Sequence, residues 1–593
     1  MIVTCLSCAA RYRIDDAEFL SGGRQVRCTQ CGHHWRQPAL TPEATAAEPE
    51  IAPPALEASE VVLVTDTVLE PPDRDYPSPT VAMPAPRSSR KAVSHRTATA
   101  SGFFVVARIG AKALDFVLLT VLTRLLTPAD FGLLAIAMVF IQVFETVFEV
   151  PVAASLMRAR PLTRALLDTG FTLSTIRGLV IFGTLSAAAV GIADFYSDPR
   201  LAWLVVALAL APLARSTASI RIVLYRRRLE ASPEFWLEVG GKVVSLAAAV
   251  TVAATTRSYW AIAVATVTAP TVSTVGSYFF APYRPRFRLT EWRYFSGFIG
   301  WMTLNQVFSA LLWQFDKLFL GRIVSDKVLG NFSVAGNVSN LPFQVVGAPL
   351  LQPFAAALAI SHARDNLATA YQKATRGVCL IMAPVIVTLA LLAHPVVALL
   401  FGATWENAAE WLSFLSLAAL PGLLLQILPS LCFAIGKTGA LAVRSGVEFA
   451  LYLPMVAVGY FWVGIPGVIG ARFLSLLVSA TISLFLVRSL LKLSVREQLA
   501  NLIEPTFATS VLALVLTVLT GLIREPSGRI ALIAYVCGIG GVGAVTYAVT
   551  ALVVWNASGR RDGLERVATN MLKSLGRRAL HRGVARMRAL RPS

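Results

Sequence analysis

Long apolar stretches alternate with short loops from about residue 103 to residue 555. Fourteen stretches can be distinguished, each about 20 residues or longer, which is the length that a helix needs to cross a ~30 Å hydrocarbon core. This pattern predicts an all-α polytopic membrane protein. The approximate spans are 103–124, 131–154, 167–193, 200–219, 235–256, 260–281, 295–321, 328–360, 375–401, 407–435, 440–463, 465–490, 507–523 and 530–556.

The composition agrees with a membrane protein. Of the 593 residues, 55% are hydrophobic and 15% are charged, whereas a typical soluble domain has about 25% charged residues. The mean hydropathy is +0.64. A net charge of +19 would also suit a nucleic-acid-binding protein. Much of that charge, however, lies in alternate loops and at the C-terminus, which is a topology signal, so we expect no nucleic-acid partner.

The chain divides into four predicted segments. Residues 39–100 are rich in Pro, Ala and Glu, so we expect an extended, disordered linker there. The run Val61–Val64 within it is too isolated to fold. The last segment, 557–593, contains ten Arg and Lys residues after Ser558 together with regularly placed apolar residues. It predicts an amphipathic helix on the anionic inner leaflet, with a disordered cationic tail as the alternative. The segments are a Cys-containing head (1–38), the linker (39–100), a membrane domain (101–556) and a basic cytosolic tail (557–593).

Two Cys-x-x-Cys pairs, separated by nineteen residues, lie near the N-terminus. Four thiolates close a tetrahedral structural zinc site and leave no open position for catalysis. Two disulfides are the alternative, which a reducing cytosol disfavours, and His33 or His34 could replace a thiolate ligand. About 38 residues cannot bury a sufficient core, so the metal would supply the folding energy. The predicted zinc ligands are Cys5, Cys8, Cys28 and Cys31.

The loops between spans alternate in charge. If the N-terminal head is cytosolic, every even-numbered loop is cytosolic as well, and these loops are the basic ones, as in Arg226–Arg228 and the arginines of residues 284–293. Loop thirteen, with Arg524 and Arg529, is an exception. The alternation predicts a multi-pass protein of the bacterial inner membrane with both termini in the cytosol.

A weak internal repeat relates the first and seventh spans at an offset of 198 residues. Thr123–Thr127 aligns with Gly321–Ser325, and Gly132 aligns with Gly330. The copies begin six spans apart, so they cross the membrane in the same direction. Parallel repeats of this kind predict two helical bundles around a central site.

Several of these residues resemble a known family. The run from Thr123 to Gly132, TRLLTPADFG, is similar to the segment after the first helix of bacterial polysaccharide transporters, and Asp316-Lys317 with Gly321-Arg322 resembles their seventh helix. These proteins are lipid-linked oligosaccharide flippases of O-antigen and exopolysaccharide export, in the multidrug/oligosaccharidyl-lipid/polysaccharide exporter superfamily. The resemblance covers about residues 100–490. Residues 1–38 resemble a bacterial zinc-ribbon module, which the family usually lacks.

The resemblance implies a monomeric carrier of undecaprenyl-pyrophosphate sugars that works by ion-coupled alternating access, without a transport cofactor or catalytic residues. Membrane lipids are its other partners, and the zinc ribbon could dock a cytosolic protein. Ionisable residues at membrane depth mark pathways by default. The substrate-binding candidates are Arg108, Lys112, Arg177, Arg215, Lys242 and Lys317. The ion-coupling candidates are Asp115, Glu145, Glu238 and Asp316.

The most specific of these candidates form a ladder in the first span. Arg108, Lys112 and Asp115 follow at steps of four and three residues, which places them on one helical face. We expect the two cations to contact the pyrophosphate as it enters from the cytosol. The alternative is that Lys112 and Asp115 simply neutralise each other.

Two other functions remain as alternatives. A small-molecule drug exporter of the same superfamily would have a smaller, more apolar cavity in which carboxylates outnumber cations. A membrane polysaccharide polymerase or ligase would need a sizeable periplasmic loop with catalytic residues, and every odd-numbered loop here is short. The chain also has no G-x-x-x-x-G-K-[ST] motif for nucleotide hydrolysis.

Overall fold

The computed structural model describes five short strands near the N-terminus and residues 110–559, except 160, 229, 231, 297–300, 363–365 and 527. Residues 1–87 and 88–593 form two compact units. Several predictions lie outside the described residues: the zinc ligands Cys5, Cys8, Cys28 and Cys31, the cation Arg108, and the amphipathic tail after residue 559.

The N-terminal unit contains two small antiparallel sheets. The first pairs β1 with β2, and the second has the order β4-β3-β5. The strands are β1 (Ile2–Thr4), β2 (Arg11–Arg13), β3 (Arg24–Arg27), β4 (His34–Gln37) and β5 (Val62–Leu63).

Strand β5 lies inside the segment predicted to be a disordered linker. Val62 pairs with Arg27 and Leu63 pairs with Val26, so the prediction that Val61–Val64 is too isolated to fold is wrong. An edge strand offers unpaired backbone groups to any extended segment that reaches it. The β3–β4 hairpin provides such an edge, and the apolar run adds to it as a third strand.

Residues 110–559 are almost entirely helical. In chain order the helices are α1 (110–125), α2 (Pro128–Val147), α3 (Val152–Arg158), α4 (Arg164–Tyr196), α5 (Arg200–Ser216), α6 (Val223–Arg227), α7 (Ser232–Thr256), α8 (Trp260–Phe280), α9 (Trp292–Ser296), α10 (Trp301–Ile323), α11 (Asp326–Ser339), α12 (Ala348–His362), α13 (Leu367–Leu391), α14 (Ala393–Leu400), α15 (Glu406–Ala418), α16 (Leu428–Ala434), α17 (Thr438–Val463), α18 (Ile465–Leu491), α19 (Val495–Ala500), α20 (Ile503–Leu522) and α21 (Arg529–Ala557).

The all-α polytopic fold is confirmed, but the count of fourteen spans is not. Among the described residues, ten helical segments are long and apolar enough to cross a membrane, or up to twelve if two bent pairs are each one span. The pairs bend by 56° after α5 and by 42° between α15 and α16. Helices α1 and α10 lie at the two other predicted spans. The ninth predicted span, 375–401, is instead two helices, α13 and α14.

The motif that suggested the family is a helix start. The Thr127 hydroxyl accepts a hydrogen bond from the Asp130 backbone N–H at 3.4 Å, and the Asp130 carboxylate accepts one from the Thr127 N–H at 3.0 Å. Pro128 occupies the first helical turn, where its missing N–H costs nothing. This capping box fixes where α2 begins, directly after α1.

The largest buried apolar cluster belongs to both halves of the chain. It includes Leu126 and Phe131 from the first half and Leu329, Phe401 and Trp405 from the second. These residues all lie near odd-numbered loops. Helix α2 packs extensively against α11. The two predicted bundles are therefore joined at the ends that carry the odd-numbered loops.

The last two long helices, α20 and α21, pack on each other and on α13 and α14. A small apolar cluster, including Leu392, Leu516 and Ile539, lies between them. A buried ion pair between Arg376 of α13 and Glu504 of α20 strengthens this contact. Its side chains are only 5% and 10% exposed.

Candidate functional site

A cavity of about 410 Å³ lies in the first half of the membrane domain. Its charged lining includes Glu145 and Glu149 of α2, Arg177 of α4 and Arg215 of α5. Arg215 forms an ion pair with Glu145, and the Arg177 Nη2 donates to the backbone oxygen of Glu145 at 2.6 Å. The structure thus brings together three of the predicted site residues: Arg177, Arg215 and Glu145.

A larger cavity of about 640 Å³ lies in the second half, within the usual range for ligand pockets. Five charged side chains line it: Asp316, Lys317, Arg444, Glu448 and Arg472. Its lining is also rich in groups that both donate and accept hydrogen bonds. These are Gln142, Ser309, Gln314, Asn337, Ser339, Asn340, Gln344, Gln426, Ser430 and Ser475.

Asp316 is neutralised by its neighbours. Its carboxylate accepts a hydrogen bond from the Tyr452 hydroxyl and another from Arg472 Nη1 at 2.9 Å. The Arg472 guanidinium lies 4.8 Å from the centre of the Trp313 ring. Only 4% of Asp316 is exposed. This network ties α10 to α17 and α18 and leaves the Trp313 ring at the cavity wall.

Lys317, the neighbour of Asp316, faces the same cavity and is partly buried. In the part of the chain that the structure describes, its ammonium group has neither an ion-pair partner nor a hydrogen-bond partner. Removing a cation from water costs several kcal/mol unless an opposite charge compensates. The cavity wall therefore presents a cation that a bound anion would stabilise.

Arg444 and Glu448 were missed by the sequence analysis. The Glu448 carboxylate accepts a hydrogen bond from the Ser479 hydroxyl at 2.6 Å and lies 3.8 Å from Arg444. The i, i+4 spacing of an Arg and a Glu inside the eleventh predicted span was a usable signal. Glu238 and Lys242, two of the predicted site residues, have the same spacing.

The predicted ladder of the first span has a different environment. Asp115 lies 3.3 Å from Lys112 and 2.9 Å from Lys242 of α7, which also lies 3.2 Å from Glu238. Four predicted residues thus form one mutually neutralised cluster, as the alternative interpretation of Lys112 and Asp115 expected. None of the four lines either of the two cavities.

Contacts between the two halves concentrate at the odd-loop ends. Arg124 Nε donates to the backbone oxygen of Leu400 at 2.9 Å, and Trp405 Nε1 donates to that of Thr123 at 2.9 Å. Arg200 pairs with Asp326 at 3.2 Å.

Arg200 also pairs with Asp198, at 2.6 Å. The hydrogen bond from the Arg200 side chain lowers the pKa of the Asp198 carboxyl, although burial acts in the opposite direction. The pair therefore stays charged at neutral pH.

The smaller cavity lies at the opposite ends of the helices, towards the even-numbered loops. Its residues come from the end of α2, the first half of α4 and the end of α5. The larger cavity is also bordered by α2, through Gln142, one turn before Glu145. The two halves are thus joined at one face, and the smaller polar cavity lies towards the other.

Solved structures share this fold. The chain matches the lipid II flippase MurJ, in an inward closed conformation, with a TM-score of 0.59 and 13% identity, covering 77% of this chain and 100% of that one. It also matches an inward-facing multidrug resistance MATE family transporter of the MOP superfamily, with a TM-score of 0.50 and 16% identity over 65% of this chain and 98% of that one. The chain therefore has the multi-helical fold of these membrane transporters.

Sequence comparisons find a matching family and two relatives. Residues 121–410 match the polysaccharide biosynthesis protein family, and residues 1–36 match a zinc-ribbon domain. The chain is 23% identical to the lipopolysaccharide biosynthesis protein WzxC of Escherichia coli K12 over 73% of this chain and 89% of that protein. It is 24% identical to the succinoglycan biosynthesis transport protein ExoT of Rhizobium meliloti over 55% and 67%. The match over residues 121–410 agrees with the resemblance found in the motifs.

Proposed function

We propose that the protein flips a lipid-linked oligosaccharide, an undecaprenyl-pyrophosphate sugar, across the bacterial inner membrane for lipopolysaccharide or exopolysaccharide biosynthesis. Its two sequence relatives are named for lipopolysaccharide and succinoglycan biosynthesis. A flippase is among the proteins that share its fold.

The lining of the 640 Å³ cavity is the observation that carries this proposal. Amide and hydroxyl side chains complement the hydroxyl groups of a saccharide, since both partners donate and accept hydrogen bonds. The exposed ring of Trp313 offers an apolar face to a sugar. Lys317, which has no partner among the described residues, supplies a positive charge for the pyrophosphate.

The charge balance of the same cavity disfavours a drug exporter. Three cations, Lys317, Arg444 and Arg472, face two carboxylates, Asp316 and Glu448. Because Arg472 already neutralises Asp316, the remaining charge favours an anionic ligand over a cationic drug.

The substrate enters from the cytosol in this proposal. Both termini and the even-numbered loops are cytosolic, so the cavities of the two halves open towards the side on which nucleotide sugars are used. Arg177 and Arg215 of the smaller cavity contact the glycan or its phosphates. Glu145 is the coupling carboxylate best placed beside them, whereas Asp115 and Glu238 set the position of Lys112 and Lys242.

The head carries a structural zinc ion at Cys5, Cys8, Cys28 and Cys31, in keeping with the zinc-ribbon match. It could dock a cytosolic partner of the monomeric transporter.

The test compares Lys317→Ala with Lys317→Arg in a strain that lacks the endogenous gene. Losing a charge-assisted contact costs about 1.5–3 kcal/mol, so substrate binding should weaken by roughly one to two decades. Surface polysaccharide should fall accordingly, while Lys317→Arg keeps part of the activity. Lys327→Ala, on the exposed start of α11, is the control and should be neutral. Normal export by Lys317→Ala, at equal protein level, would refute the proposal.

The role of Lys112 in the ladder is tested in the same assay. If Lys112 acts only within its ion-paired cluster, Lys112→Ala combined with Asp115→Ala should retain more transport than Asp115→Ala alone. If Lys112 binds the pyrophosphate, the double variant should be as inactive as Lys112→Ala.

A further inference from the structure

The segment 281–291, here called the strap, connects α8 to α9 and so links the two halves of the transporter. It contains neither helix nor strand over residues 282–289. Side chains from residues 219–221 fix its start. The Ser219 hydroxyl donates to the Ala281 backbone oxygen at 2.6 Å, and Arg221 Nη1 donates to the Pro282 oxygen at 2.8 Å.

Helix α4 fixes the rest of the strap. The Tyr283 hydroxyl donates to Asp168 Oδ1 at 2.5 Å. The backbone N–H of Arg288 donates to Thr172 Oγ1 at 3.0 Å, and that of Glu291 donates to Thr169 Oγ1 at 3.3 Å. Burial, and secondarily the bond to Asp168, raise the pKa of Tyr283, so this donor stays protonated. The strap is therefore a preformed surface rather than a loose loop.

Three arginine side chains of the strap face solvent. Arg284, Arg286 and Arg288 are exposed, and within the described parts of the chain none of them forms an ion pair. Large apolar side chains are interleaved with them. Phe287 is 71% exposed and Leu289 is 44% exposed, while Trp292, directly after the strap, is 52% exposed. Exposed apolar and cationic side chains side by side are typical of a surface that meets a membrane interface.

The position of the strap along α4 agrees with such a surface. Helix α4 has 33 residues and is therefore about 50 Å long, which exceeds a ~30 Å hydrocarbon core by several turns. The strap is bound to Asp168, Thr169 and Thr172, within the first three turns of α4. Helix α8, a candidate span, ends at Phe280, just before the strap. Both helices place the strap near the headgroup layer on the even-loop side.

We propose that the strap binds the phosphates of anionic phospholipids in this leaflet, through Arg284, Arg286 and Arg288. Charge complementarity identifies the partner, because each basic residue near an anionic leaflet adds attraction. Phe287 and Trp292 insert between the headgroups. This site is independent of the transported ligand, and its occupancy fixes the connection between the two halves to the membrane surface.

The full-length protein is tested in detergent with phosphatidylglycerol and phosphatidylcholine of equal chain length, with bound lipids counted by native mass spectrometry. The wild type should prefer phosphatidylglycerol. The triple variant Arg284→Gln, Arg286→Gln, Arg288→Gln should lose roughly 100-fold in apparent affinity for it, from about fivefold per arginine. Arg286→Gln alone should lose a smaller fraction, which keeps the test informative if the triple variant does not fold.

The matched control is Arg488→Gln, Lys492→Gln, Arg496→Gln, which removes three exposed cations near another even-numbered loop. It should keep most of the preference. The proposal is overturned if the strap and control variants lose equally, because the attraction would then be diffuse. It is also overturned if the strap variant binds as the wild type does, or if inorganic phosphate at millimolar concentration removes the preference.

Discussion

Gly132 of α2 and Gly330 of α11 each face the first turn of the other's helix. A Cβ added at Gly132 would overlap the backbone carbonyl of Asp326, and a Cβ added at Gly330 would overlap that of Pro128. Both pairs, 132 with 330 and 128 with 326, are separated by the repeat offset of 198 residues. The two halves therefore meet in a reciprocal, pseudo-symmetric contact that only glycine permits at this distance.

Replacing either glycine by alanine should push α2 and α11 apart at the odd-loop ends. Overpacking of this kind costs about 1–3 kcal/mol and should favour an arrangement that is open at the odd-loop ends. A cysteine introduced at Ala335, which is 1% exposed, reports the change through its maleimide labelling rate. Gly132→Ala should speed labelling roughly 5- to 100-fold.

Gly336→Ala is the control for this experiment, since an added Cβ there meets nothing within 4 Å. It should leave the labelling rate unchanged. Equal rates in Gly132→Ala, Gly330→Ala and the control would mean that the contact does not hold the two halves together.

The Asp316–Arg472 pair should behave as a coupled unit. Breaking a buried ion pair from one side strands the other charge and costs about 3–5 kcal/mol. Asp316→Ala and Arg472→Ala should each lower thermal stability in detergent. The loss in the double variant should be smaller than the sum of the two single losses. A double-mutant cycle measures the coupling. Additive losses would show that the 2.9 Å contact contributes little.

Membrane orientation is tested by labelling intact cells with an impermeant maleimide. Arg228→Cys and Thr404→Cys lie at exposed positions of an even-numbered and an odd-numbered loop. The basic even loops predict labelling at position 404 and protection at 228. The reverse pattern would invert the proposed topology and the direction of substrate entry.

Zinc content is the remaining test. The purified full-length chain should contain one zinc ion, and a variant with Cys5→Ser and Cys8→Ser should contain none. Because the metal supplies most of the folding energy of so small a module, chelation should also expose the head to proteolysis while leaving residues 110–559 folded. Equal metal content in both proteins would exclude the cysteine site.

The length of the apolar stretches was enough to predict that they form helices, because a segment inside the membrane must make all of its backbone hydrogen bonds internally. It was not enough to predict where they bend. The tenth predicted span, 407–435, is divided into α15, a 3₁₀ segment at Leu420–Leu425 and α16. A π-helical turn at Phe343–Gly347 likewise precedes α12 within the eighth span.

Site residues were predictable only as a set of intramembrane charges. Helical periodicity correctly placed Lys112 and Asp115 on one face, but it does not show which helix lies opposite. The structure brings α7 there, so Lys242 completes a neutral cluster. The same lack of neighbour information hid the difference between Asp316, which Arg472 neutralises, and the adjacent Lys317, which faces the cavity.

The ion pair between Arg376 and Glu504 has a consequence for synthesis. Its partners are 128 residues apart in the chain, and at about 5–20 residues per second the ribosome needs roughly 6–26 s to cover that distance. Helix α13 is therefore inserted well before α20 exists to supply the carboxylate. A nascent chain stalled within this interval would leave Arg376 without the carboxylate that neutralises it in the folded protein.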